Sequence, residues 1–159
     1  MNIKLLKLLE KNAKYNVSDL ATMLGTDEET INKEITKMEK NGLICGYKSV
    51  IDWEKLDAAA VSAVIELKVS PQADYGFDEI AKRVMMYDEV ESVYLMSGGF
   101  DLFVMVRGKT FQQVAMFVAK ELSTIDAVVS TATHFILRKY KEFDVVLNSG
   151  EDDRGNFSL

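Results

Sequence analysis

The chain has 159 residues, room for one ordinary domain or two small ones, and 48% of them are apolar, enough for packed cores. Its formal net charge of −6, from 19 basic and 25 acidic residues, excludes a broadly basic surface for nonspecific nucleic-acid binding. The single cysteine, Cys45, rules out an intrachain disulfide or a multi-cysteine metal site. No apolar run approaches the ~18 residues of a membrane helix, and the start of the chain lacks a signal-peptide layout, so a cytoplasmic protein is expected.

Leu5, Leu6, Leu8 and Leu9 give a first helix its apolar stripe. Ser18 suits the N-cap of a second helix carrying Leu20, Ala21 and Leu24, and Gly25 ends it, because a tight turn between helices often needs positive φ. Thr26, with Glu29 three residues on, fits a capping box for a third helix. Ile31, Ile35 and Met38 bury one face of that helix, and Asn41-Gly42 stops it. Leu43 to Asp52 alternates loosely and fits either a wing hairpin or an extended connection. The pattern predicts a winged helix-turn-helix over residues 1–52, followed by a linker over 53–60.

The polar face of the third helix presents Glu28, Glu29, Asn32 and Lys33 near its start and Thr36, Lys37 and Lys40 beyond. Asparagine reads adenine edges, lysine reads guanine or phosphate, and the hydroxyls of Ser18 and Thr30 can meet phosphates. The candidate DNA-binding set is Ser18, Thr30, Asn32, Lys33, Thr36, Lys37 and Lys48. The same periodicity also fits a three-helix domain whose polar face serves only protein contacts. Charge weighs against strong DNA attraction: residues 1–56 hold nine lysines and nine acids. The third helix also opens on Asp27-Glu28-Glu29, which suits its macrodipole but would sit near phosphates.

From residue 60 the period becomes two. Val61, Ala63, Ile65, Leu67 and Val69 mark a strand closed by Ser70-Pro71; Phe77, Ile80, Ala81 and Val84 mark a helix. Strands are predicted over 90–97 and 100–107 with a Gly98-Gly99 turn between them. A helix capped by Thr110 follows, carrying Phe111, Val114, Ala115, Val118 and Leu122, and a last strand runs over 129–140. The fold class is therefore α+β, with a ferredoxin-like βαββαβ unit over 61–146 and a polar tail over 147–159 that is expected to be disordered or weakly docked. Phe100, Leu102, Val104 and Val106 face one way in the third strand, and Phe103 and Met105 face the other. Two helices cover only one face, so the other is expected to meet a second copy of the sheet, or a loop or the tail folded over it.

The segments LATMLGTDEETINKEITKMEKNGLICGY (20–47) and SGGFDLFVMV (97–106), in this order and separation, resemble the Lrp/AsnC, or feast/famine, transcriptional regulators over nearly the whole chain. The resemblance implies a dimer, and octamers built from dimers, that bind double-stranded operator DNA through the first domain. It implies a small effector, usually an amino acid, lodged between subunits of the second. Chemistry gives that effector candidate ligands. Asp101 could accept from its ammonium, and backbone N–H groups around Gly98 and Gly99 could donate to its carboxylate. The resemblance further implies hydroxyls from Ser97, Thr131 and Thr133 on neighbouring strands. Read without the resemblance, Gly98-Gly99 is better taken as a plain hairpin turn and Asp101 as a solvated or capping acid; the resemblance reverses that preference. Two departures from the family pattern stand out. The recognition helix has Lys33-Glu34 where two basic residues are usual, and the turn reads Gly98-Gly99-Phe100-Asp101 where an acid often takes second place.

No cofactor site, metal cluster or nucleophile arrangement accompanies these elements, and no enzyme is expected. His134, the only histidine, reads as a packed or interface residue, and Tyr47 and Trp53 as staples holding the linker to a domain. Two competing readings are a regulator-like subunit that binds only ligand and partner protein, and an enzyme similar to the siroheme-decarboxylase relatives of this family. The second is opposed by the lone histidine and the lack of an Arg/His-rich segment.

Overall fold

A computed structural model describes residues 2–55, 60–70 and 76–147. Residues 56–59 of the linker, residues 71–75 and the tail from 148 lie outside these residues. The chain divides into two compact units: one ends at Ile51 and takes in Lys141–Val146, and the other runs Asp52–Tyr140 and resumes at Leu147.

The first unit holds α1 (Ile3–Lys11), α2 (Val17–Leu24) and α3 (Glu28–Lys40). Leu5, Leu9, Leu20, Ala21, Ile31 and Met38 form its core, with Tyr15, Leu24, Ile35 and Ile44 packed around them. Both predicted N-caps shift. Asn16, not Ser18, caps α2, accepting from Asp19 N–H at 2.7 Å, so Ser18 lies within the first turn. Asp27, not Thr26, caps α3. Thr26 is already engaged, since its N–H donates to Ala21 O at 3.0 Å across Gly25, whose φ of +63° makes the left-handed C-terminal turn of α2. Gly42, at φ +67°, ends α3 in the same way, with Leu43 N–H donating to Met38 O at 2.9 Å. Residues 43–52 contain no strand, so the extended connection, not the wing hairpin, is what forms. No turn pair divides this stretch into two arms, and Tyr47 fastens it to α3 by donating to Glu39 Oε1 at 2.9 Å. Burial, then Glu39, raises the Tyr47 pKa.

The second unit has the βαββαβ order: β1 (Val61–Val69), α4 (Phe77–Met85), β2 (Val90–Leu95), β3 (Leu102–Gly108), α5 (Phe111–Phe117, continued by a wider turn over Val118–Leu122) and β4 (Val128–Phe135). The sheet order is β2-β3-β1-β4, with every neighbouring pair antiparallel. Ile65 stands opposite Val104 and Thr133, and Leu67 opposite Leu102 and Thr131. These positions share the face that packs on Ile80, Val84, Val114, Phe117 and Leu122. β4 stops at Phe135, short of the predicted 140, because its partner β1 runs out: Phe135 already faces Ala63, and one further bond joins Ile136 N–H to Ser62 O at 2.9 Å.

The other face carries Val64, Glu66, Tyr94, Phe103, Met105, Arg107 and His134. Tyr94 and Phe103 meet edge to face at 5.8 Å, and His134 Nε2 lies 3.3 Å from Glu66 Oε1. Arg107 Nε sits 2.8 Å from Glu91 Oε1, an ion pair without hydrogen-bond alignment, and its guanidinium lies 5.3 Å from the Trp53 ring centre. Trp53 and Tyr47 thus act as the staples expected of them.

The pattern of residues did not foretell a short 3-10 turn at Trp53–Lys55 or a hairpin near the end of the described chain. β5 (Lys141–Glu142) and β6 (Val145–Val146) form a hairpin turning through Phe143 and Asp144, both at positive φ, and Leu147 N–H closes it on Tyr140 O at 2.9 Å.

Candidate nucleic-acid interface and effector region

The third helix of the first unit presents one continuous polar surface. Glu29, Asn32, Lys33, Thr36, Lys37, Lys40 and Asn41 line a shallow groove of about 650 Å³ along it. Their spacing, at steps of three and four, follows from Ile31 and Met38 holding the opposite side in the core. Of the predicted DNA-binding residues, the structure brings together Asn32, Lys33, Thr36 and Lys37. Ser18 and Lys48 are exposed outside this groove.

Thr30 has a different task. Asp27 accepts from Thr30 N–H at 2.8 Å and from the Thr30 hydroxyl at 2.7 Å. A threonine has one O–H donor, and in the free chain the Thr30 hydroxyl gives it to the helix cap. The Thr30 backbone N–H, then its hydroxyl, hold the Asp27 carboxyl below the usual carboxylate range. Asn41 was missed as a groove residue because it was read only as a stop signal.

In the second unit, Ser97, Gly98 and Gly99 are exposed in the β2–β3 turn, where Gly98 has φ +137°. Met96 N–H donates to Asp101 O at 2.8 Å and closes this turn. Asp101 then bonds sideways to β1: its N–H donates to Leu67 O at 2.9 Å, and its Oδ2 accepts from Val69 N–H at 2.8 Å. The β1–β4 register shifts between Lys68 and Val69, so this carboxylate holds the N–H beside a bulge. Ser70 N–H continues the tie to Ala127 O at 2.8 Å. Thr131 lies at the same end of the sheet, opposite Leu67, while Thr133 is two residues further in and half-buried on the helix-covered face. The structure therefore gathers Ser97, Gly98, Gly99 and Asp101 in one turn, with Thr131 across β1. It gives one Asp101 oxygen a backbone partner that the spacing did not foretell.

Among the described residues no group of three or more His, Cys, Asp or Glu could hold a metal ion. Among them, too, no helix is long and apolar enough to cross a membrane.

Comparison with known proteins places this geometry. Residues 62–146 match the Lrp/AsnC ligand binding domain, and residues 5–59 match the Crp-like helix-turn-helix domain. The chain is 45% identical over 152 residues to an uncharacterized HTH-type transcriptional regulator, YugG, of Bacillus subtilis, covering 95% of this chain and 92% of that one. Two solved structures share the fold. A transcriptional regulator–L-Met complex from Neisseria meningitidis has a TM-score of 0.71 and 19% identity, covering 88% of this chain and 90% of that one. A feast or famine regulatory protein from M. tuberculosis, complexed with L-methionine, has a TM-score of 0.70 and 22% identity, covering 87% and 90%. With one family matched over more than half its length and a near-full-length relative well above 30% identity, the chain belongs to the Lrp/AsnC family of transcriptional regulators.

Proposed function

We propose that this chain is a cytoplasmic, non-enzymatic, sequence-specific DNA-binding regulator whose operator binding or assembly state responds to an amino acid. The observation that carries the reading is the α3 groove, where Asn32, Lys33, Thr36 and Lys37 converge on the exposed side of the second helix of a helix-turn-helix. That helix is the one that lies in the major groove in such proteins. Ser18 and Lys48 flank it as phosphate contacts.

The sheet face bearing Val64, Tyr94, Phe103 and Met105 supports a homodimer, since the described helices of the second unit pack on the opposite face. Assembly of dimers into octamers follows the family pattern. The two structural neighbours solved with L-methionine support an amino-acid effector. We assign it to the turn Ser97, Gly98, Gly99 and Asp101, with Thr131 and Thr133 on β4.

The test is selection of the full chain against a randomised duplex library, followed by thermal melts with each of the standard amino acids. The expected result is an enriched site with two half-sites, and at least one amino acid that raises the melting temperature by mass action. Failure of any duplex to be enriched would leave the competing reading, a ligand- and partner-binding protein without DNA.

A further inference from the structure

Attraction to phosphate does not account for the acidic start of α3. Asp27 is explained, because both its oxygens serve Thr30. The Glu29 side chain is not part of that cap. Its Oε1 lies 2.6 Å from Lys33 Nζ, one helical turn along, and the two side chains are 77% and 73% exposed. Both line the α3 groove beside Asn32 and Thr36. They stand in the first half of the helix, the part that reaches base edges when such a helix enters the major groove. Their charges cancel, so the pair adds nothing to counterion release. What it offers instead is one acceptor and one donor side by side.

A C·G pair presents the complement of that arrangement. Cytosine shows an N4 amine donor and guanine shows O6 and N7 acceptors. The N4 and O6 atoms are joined by the base-pair hydrogen bond and so stand about 2.9 Å apart, close to the 2.6 Å between Glu29 Oε1 and Lys33 Nζ. Adenine also shows an amine, but its N7 acceptor lies next to it and repels a carboxylate.

We propose that Glu29 is a specificity-determining residue: its carboxylate accepts from the N4 amine of a cytosine while Lys33, held against it, donates to O6 or N7 of the paired guanine. Glu29 is thus a reader of one C·G pair in each half-site. The inference rests on the DNA-binding reading above.

The test compares the full wild-type chain with Glu29→Ala, Glu29→Gln and Lys33→Ala in parallel selections from a randomised duplex library. Affinities are then measured by fluorescence anisotropy over a range of salt. The wild type is expected to enrich a C·G pair at one fixed position per half-site. Glu29→Ala loses that preference by about tenfold and keeps the others. By freeing Lys33 it also tightens binding to arbitrary duplex and steepens the salt slope by about 1. Glu29→Gln moves the preference at that position toward adenine, which glutamine reads through N6 and N7. Lys33→Ala weakens the preference at the same position. Wild-type base preferences at every position in both Glu29 variants would overturn the proposal. A wild type that enriches no sequence would overturn the DNA-binding reading beneath it.

Discussion

Asp101 is where the effector reading meets the architecture most directly, and replacing it separates two roles. Asp101→Ala removes the acceptor held 2.8 Å from Val69 N–H. Val69 is 7% exposed, so water cannot fully replace the lost partner. A hydrogen bond to a charged group contributes about 1.5–3 kcal/mol, and because Asp101 is only half-buried the lower part of that range applies, about 2 kcal/mol. In a chain of this size that lowers Tm by roughly 4–8 °C. Asp101→Asn keeps an amide oxygen at the same place and retains about half of the bond.

Urea unfolding of both variants at unchanged m would measure this, with amino-acid binding followed by calorimetry on the same samples. A carboxylate that acts by holding the bulge predicts the order wild type, Asn, Ala in stability, with ligand binding retained in Asp101→Asn. Stability of Asp101→Ala within about 0.5 kcal/mol of wild type, the range of an ordinary surface change, would refute the structural role. Loss of binding in a stable Asp101→Asn would show direct contact with the effector ammonium.

Other consequences follow from single contacts. Lys37→Ala should weaken binding to all duplexes alike and reduce the salt slope by about 1, as read by anisotropy, because it removes a phosphate contact. Gly108→Ala should destabilise the second unit by about 1–3 kcal/mol in chemical unfolding, since a Cβ there would stand 2.8 Å from Val114 Cγ2. Asp27 has a folded pKa below the ordinary aspartate value of 3.8, so its stabilisation is full above that value and fades as pH falls through the lower folded one. Melts of Asp27→Ala should therefore lie below wild type at neutral pH and converge with it in acid. Met105→Lys, on the sheet face away from the helices, should shift sedimentation from dimer to monomer while leaving the far-ultraviolet spectrum unchanged.

Elements with strong periodicity were legible in the sequence. The stripes of α3 and β1 are long enough that one face must be buried, and Ile31, Met38, Ile65 and Leu67 are. Boundaries depended on competition that a linear pattern does not display. Thr26 has the chemistry of an N-cap but its N–H is already committed to ending α2. β4 looked long because Ile136 and Leu137 continue its apolar run, yet the length of β1 sets where pairing stops. The β5–β6 hairpin was hidden because its turn uses Phe143 and Asp144 where glycine or asparagine would be the signal. In the candidate sites, side-chain commitments were the invisible part. The spacing placed Thr30 and Asp101 on accessible elements, but it did not show that Asp27 accepts from the Thr30 hydroxyl or that one Asp101 oxygen accepts from Val69 N–H.

Those commitments bear on how so neutral a domain could hold DNA. Residues 1–56 carry as many acids as lysines. Within the α3 groove Lys33 is matched by Glu29, which leaves Lys37 and Lys40 to meet phosphate. With Lys48, the three such contacts per copy give a salt slope of only about −3, too shallow for tight binding by one copy at physiological ionic strength. A dimer doubles that term and makes the second helix's encounter intramolecular, at an effective concentration that can strengthen binding by about 10²–10⁴. On this account affinity depends on the proposed pairing of sheet faces through Val64, Phe103 and Met105, while base selection falls to Glu29, Asn32 and Lys33. An effector that alters assembly would then control occupancy without touching α3.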